Sequence, residues 1–217
     1  MLTLFLFSPE LFKQLGLDYE LQLQMSGVVN LAQLVGVLIS FFVIDRLGRR
    51  PLLLFGSVGM TATLIIVAIL TAKYNGNWAE HRAAGWAGIA MLVLYMIFFG
   101  VSWGPIGWAM PSEIFPQSLR SKGVAFSVVS NWTWNFVVGL LTPVLVQKTG
   151  YGAFLFYGCF SALSIVWVWF CVPEVKGVKL EDMDRVFQDR LGKHDQERYD
   201  RIQKNLLDSK HSVPPEE

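Results

Sequence analysis

The sequence is short of charge. Only 16% of its 217 residues are Asp, Glu, Lys or Arg, against 53% hydrophobic and a mean hydropathy of +0.43, which excludes an ordinary soluble domain of this length. The few charges are unevenly placed: residues 1–172 hold 9 Lys+Arg and 6 Asp+Glu, while the last 45 hold 9 and 11. The net charge of +1 leaves no single-sign excess of the kind a nucleic-acid partner requires. Cysteine is equally scarce. Cys159 and Cys171 are twelve residues apart in one apolar run, about 18 Å along a helix and too far to bridge. Three scattered histidines, His81, His194 and His211, give no metal-ligand spacing. No metal and no cofactor are expected. Asp45 and Glu113 lack an accompanying nucleophile, metal cluster or Gly-rich phosphate loop, so no catalytic constellation is present and an enzyme is not expected.

What the sequence has instead is long uncharged runs. A bilayer core of about 30 Å requires roughly 20 apolar residues of helix, and five segments satisfy this: about 26–44, 52–72, 83–110, 124–146 and 153–172. Stretches such as Leu64–Leu70 carry no polar stripe at helical period, unlike a soluble amphipathic helix. The expected fold class is therefore an all-α membrane protein, with the lipid bilayer as its solvent. Residues 1–15, MLTLFLFSPELFKQL, are apolar at first but carry Pro9, Glu10 and Lys13. They are expected to be the outer end of a partial helix, since no basic region precedes them and no small-residue cleavage site follows.

Lys and Arg in short loops set orientation. The connections at 45–51 and 112–122 carry five, Arg46, Arg49, Arg50, Arg120 and Lys122; the opposite side carries four, Lys13, Lys73, Arg82 and Lys148. Span parity adds Lys176, Lys179, Arg185 and Arg190 of the tail to the first group. That side, with the C-terminus, is expected to be cytoplasmic. The tail, 173–217, reads as an amphipathic helix through Leu180, Met183, Phe187 and Leu191, helical to about 193–205 and then disordered.

Polar residues inside spans are costly and carry functional information. Asn30 and Gln33 share a face of the first full span; Asn131 and Asn135 in SNWTWNF share one in the fourth, interleaved with Trp132 and Trp134. Carboxamides donate and accept, and an indole presents a flat apolar face with one donor. Such a set suits a neutral polyol, whose hydroxyls lie at its edges and whose C–H groups lie on its faces. It suits equally a pair of helices held together by hydrogen bonds. In the third span, SWGPIGWAMPSEIFP (Ser102–Pro116) contains Pro105, Pro111, Gly104 and Gly107, which predict a bend in its cytoplasmic half.

Four motifs in order, DRLGRR, GPIGW with PSEIFP, SNWTWNF and PEVKG, resemble the C-terminal half of sugar porters of the major facilitator superfamily, the fungal members in particular, from about Phe7 to Phe187. The resemblance implies the C-terminal six-helix bundle half of a major facilitator fold, with the first helix truncated and the N-terminal six-helix half absent. It implies sugar transport by alternating access, proton-coupled in some relatives, at a plasma membrane, with a monosaccharide as substrate. Trp108 then lies below the sugar, and Asn131 and Asn135 match the family's N-W-x-x-N pattern. Gln33 stands twelve residues before Asp45, the family's place for an eighth-helix asparagine, and Asn30 stands fifteen before, so either or both contact sugar. Asp45, Arg46, Arg49, Arg50, Glu113, Arg120 and Glu174 correspond to charged residues of an inner gate. A non-transporting truncated paralogue, inert or acting as a sugar sensor or regulatory membrane partner, is the alternative function class.

Overall fold

A computed structural model describes residues 12, 18–74, 80–115, 119–172 and 201. The expectations for the partial helix at 1–15 (Phe12 apart), for Glu174 and for the tail (Arg201 apart) lie outside the described residues. Six helices run through the described chain: α1 (Tyr19–Leu47), α2 (Arg49–Tyr74), α3 (Arg82–Val101), α4 (Trp103–Ile114), α5 (Arg120–Thr149) and α6 (Tyr151–Cys171). With α3 and α4 taken as one interrupted stretch, Arg82–Ile114, five are long and apolar enough to cross a membrane. The chain is thus an all-helical membrane protein.

The apolar runs become helices because a bilayer offers backbone groups no water, so each N–H and C=O must be satisfied within its own segment. The helices turn where a residue can leave helical geometry. Gly48 is the one residue between α1 and α2, at φ 96°, and its N–H returns to Ile44 O at 3.1 Å. That left-handed conformation favours glycine. Gly150, at φ 56°, joins α5 to α6 in the same way.

The core is built around α3, which packs against α1 and α2, while α2 packs along α6. One apolar cluster joins Val29, Met60, Leu64, Leu92, Met96 and Phe154, with Phe12 packed into it. A second joins Leu52, Leu53, Val101, Ile106, Val168 and Val172 near the ends of α1 and α6. Where α1 crosses α3, the backbones nearly touch: a Cβ on Gly36 would stand 2.6 Å from Ile97 O, and one on Gly100 would stand 2.5 Å from Gln33 O.

The bend in the third span falls at Ser102, whose φ of −116° and ψ of −85° separate α3 from α4. This places Pro105 in the first turn of α4, where a missing N–H costs least. Ser102 Oγ donates to Phe98 O at 2.7 Å, and its N–H reaches Phe98 O and Phe99 O, so the end of α3 is satisfied.

Helix α5 stands apart. Of its thirty residues only Thr142 and Val146 are buried. Near its C-terminal end the Thr142 hydroxyl meets the Tyr157 hydroxyl of α6, and near its start Gly123 lies against the Phe115 ring. Between these two attachments a Cβ on Gly139 would meet nothing within 4 Å.

Candidate substrate face and inner charge cluster

The middle of α5 carries the asparagine pair. Asn135 Nδ2 donates to Asn131 O at 2.9 Å and to Asn131 Oδ1 at 2.7 Å, so one carboxamide orients the other and the Asn131 amide nitrogen projects from an exposed residue. Trp132 and Trp134 beside them are 52% and 65% exposed. These large aromatic faces are not consumed by packing among the described residues. On α1, Ser26 donates to Gln22 O at 2.7 Å, Asn30 donates to Ser26 O at 2.9 Å, and Asn30 and Gln33 are half-buried along the edge of the stripe that faces α3. Gln33 is further fixed by the contact of its own carbonyl with Gly100. Trp108, in the middle of α4, is 59% exposed.

The structure therefore distributes the five candidate contacts over three helices. Asn131 and Asn135 bond to each other within α5, and Asn30 bonds back to Ser26 O within α1.

The charged residues of DRLGRR gather at the α1–α2 turn. Arg49 Nη2 donates to Glu113 Oε1 near the end of α4 at 3.1 Å, and Arg49 Nη1 stands 3.7 Å from Asp45 Oδ1. The first pair is sheltered, each side chain about one fifth exposed, while Asp45 is 81% exposed and correspondingly weak as a partner. Arg50 has a different task. It donates from Nη2 to Trp169 O at 2.6 Å and lies over the Trp169 ring, 5.4 Å from its centroid, so it caps the last turn of α6 with a cation. Arg120 donates to Phe115 O at 3.4 Å, across the connection between α4 and α5. Arg46 and Asp45 lie exposed on the last turn of α1. Glu113 Oε2 and Arg50 Nε are buried and make no hydrogen bond among the described residues.

Sequence reasoning missed a hydroxyl network. Ser57 and Thr61 on α2 meet Ser161 and Ser164 on α6: Thr61 Oγ1 is 3.0 Å from Ser161 Oγ, and Ser164 Oγ is 3.0 Å from Ser57 Oγ. The signal was present as small hydroxyl residues at spacings of three and four. Such residues usually bond their own backbone, so their spacing alone does not identify a network.

The family described as "Sugar (and other) transporter" matches residues 1–187. A probable quinate permease of Aspergillus clavatus is 37% identical over 188 residues, covering 84% of this chain and 35% of that protein. Sugar carrier protein A of Ricinus communis is 35% identical over 178 residues, covering 82% and 34%. The chain thus spans about a third of the length of the curated relatives it matches. Among solved structures, the proton:xylose symporter XylE of the major facilitator superfamily, bound to 6-bromo-6-deoxy-D-glucose, superposes with a TM-score of 0.71 at 28% identity over 84% of this chain and 38% of that one. The inward open conformation of the xylose transporter XylE from E. coli superposes with a TM-score of 0.64 at 26% identity, over 85% and 42%.

Proposed function

We propose, since the chain belongs to the sugar (and other) transporter family of the major facilitator superfamily, that it forms the C-terminal half of a fungal-type sugar carrier working by alternating access. A second, N-terminal six-helix half would complete the site near the membrane midplane. The observation that carries the reading is the asparagine pair on α5. Asn135 holds Asn131 in place, and two exposed indoles flank the pair.

A neutral monosaccharide suits this face better than an acid. Among the described residues from 18 to 172 the Lys and Arg side chains all lie at helix ends or connections: Arg46, Arg49, Arg50, Lys73, Arg82, Arg120, Lys122 and Lys148. A carboxylate at the midplane would meet no cation here, and burying an unpaired charge is costly. Asn30 and Gln33 on α1, Trp108 on α4, and Asn131 and Asn135 on α5 are the proposed sugar contacts. The described carboxylates, Asp18, Glu20, Asp45, Glu80 and Glu113, also lie near helix ends, so any proton coupling would reside in the other half. Asp45, Arg46, Arg49, Arg50, Glu113, Arg120 and Glu174 are proposed as the inner charge network, on the cytoplasmic side of a plasma membrane.

Uptake in a transporter-null cell tests the reading. Co-expression with the N-terminal half of a relative is expected to yield labelled D-xylose or D-glucose uptake, and the chain alone is not. Uptake by the chain alone would refute the half-carrier reading. Purified chain whose tryptophan fluorescence responds to quinate and to neither sugar would refute the neutral substrate.

A further inference from the structure

The two sides of the Ser102 break are held by different helices. On the α3 side, Gly100 lies against α1, with its Cβ position 2.5 Å from Gln33 O and 3.1 Å from Gly36 Cα. On the α4 side the first residue, Trp103, donates its indole N–H to Ser57 Oγ of α2 at 2.8 Å. Ser57 is fully buried. Its hydroxyl is 3.0 Å from Ser164 Oγ of α6, which in turn donates to Ser161 O at 2.6 Å. An indole N–H only donates, so Ser57 accepts from Trp103, and its own hydrogen can pass to Ser164. Every group in that chain then has a partner. The surrounding backbone is shaped to the same contact: a Cβ on Gly56 would stand 1.8 Å from Ser102 Oγ, so α2 admits the break only through a glycine. The Trp103 ring packs against both apolar clusters.

We infer that Trp103 and Ser57 are positioning residues for the substrate face, pinning the first turn of α4 to α2 and α6 and thereby setting where Trp108 stands relative to Asn30 and Gln33. The inference rests on the reading of Trp108 as a sugar contact. At 1.5 Å per residue, Trp108 lies about 8 Å and Glu113 about 15 Å beyond the pin. A small tilt at Trp103 is therefore enlarged toward Trp108 and further enlarged at the Arg49 end. Gln33, held by α3, does not share that tilt, so the network governs the spacing between two parts of one site.

Spin labels at Ile69→Cys on α2 and Ser112→Cys on α4, both exposed positions, test this in the full chain with Cys159→Ser and Cys171→Ser, in lipid nanodiscs. Trp103→Phe, which keeps a ring but removes the donor, and Ser57→Ala are each expected to shift the mean label distance by about 2 Å, the scale of a helix displacement. Ser57→Thr, which keeps the hydroxyl, is expected to restore the original distance. An unchanged distance in both Trp103→Phe and Ser57→Ala overturns the inference, as does an equal shift in Ser57→Thr. Should Trp103→Phe fail to fold, Ser57→Ala removes a single oxygen and decides alone. The distance is read without sugar, so a chain whose tryptophan fluorescence ignores D-xylose and D-glucose would sink the sugar reading while leaving the pin itself measurable.

Discussion

Arg49 and Glu113, 64 positions apart in the chain, meet at 3.1 Å and join the first turn of α2 to the last turn of α4. The pairing offsets an unfavourable placement. Arg49 and Arg50 occupy the N-terminus of α2, the positive end of the helix dipole, with no acidic residue in that first turn. Without Glu113, Arg49 would lose its sheltered partner and keep the exposed Asp45 at 3.7 Å, a weak one. A pair of this kind holds firmly when made and releases two ill-placed charges when broken.

Glu113→Gln is accordingly expected to destabilise the chain by about 1.5–3 kcal/mol, the range for hydrogen bonds to charged groups. The exchange Arg49→Glu with Glu113→Arg should recover part of it, because it also places an acid at the α2 N-terminus. Denaturant unfolding in bicelles across the double-mutant cycle measures both, and additive single effects would argue against coupling.

Gly100→Ala is expected to cost about 1–3 kcal/mol, the range for overpacking a tight contact, because its new methyl would meet the Gln33 carbonyl at 2.5 Å. Gly139→Ala meets nothing within 4 Å and is expected to be neutral or to stabilise by about 0.5–1 kcal/mol through helix propensity. Thermal melts of the two variants side by side provide the comparison.

Asn131→Ala in the completed carrier is expected to raise the sugar KM about tenfold, the loss of roughly 1.4 kcal/mol, with little change in melting temperature because the residue is exposed. An unaltered KM together with a lower melting temperature would identify the pair as helix glue. Radiolabelled sugar uptake and a melt on the same preparation distinguish these outcomes.

Arg50→Lys keeps the positive charge but loses the fork that reaches Trp169 O while lying on its ring. It is expected to destabilise by about 1 kcal/mol, seen as faster hydrogen exchange at the last turn of α6. Exchange at the α1–α2 turn should be unaffected.

The all-helical, membrane-spanning character is legible in residues such as Leu52–Ala72, because a bilayer imposes one simple demand on length and polarity. Helical period alone places Asn131 above Asn135, and the structure adds which carboxamide donates to which. The partner of Arg49 is another matter. Nothing local in DRLGRR points to a residue 64 positions away, and only the resemblance suggested Glu113. The break at Ser102 falls within the stretch where the prolines predict a bend, but three residues before Pro105 rather than at a proline. Pro105 is tolerated in a first turn, and the exit from α3 is shaped by Gly56 across the interface. Trp103, Ser57 and Ser164 are unremarkable one by one, and their hydrogen bonds exist only once three helices are assembled.

The single glycines at 48 and 150 leave two corners of the chain with no loop at all. Proteases prefer loop tips that can be drawn out as free chain, and one residue between two helices offers no such length. Enzymes or antibodies applied at either membrane face would pass over both corners. A tag inserted at Gly48 would pull Arg49 away from Glu113, and one at Gly150 would part the hairpin that keeps Thr142 on Tyr157.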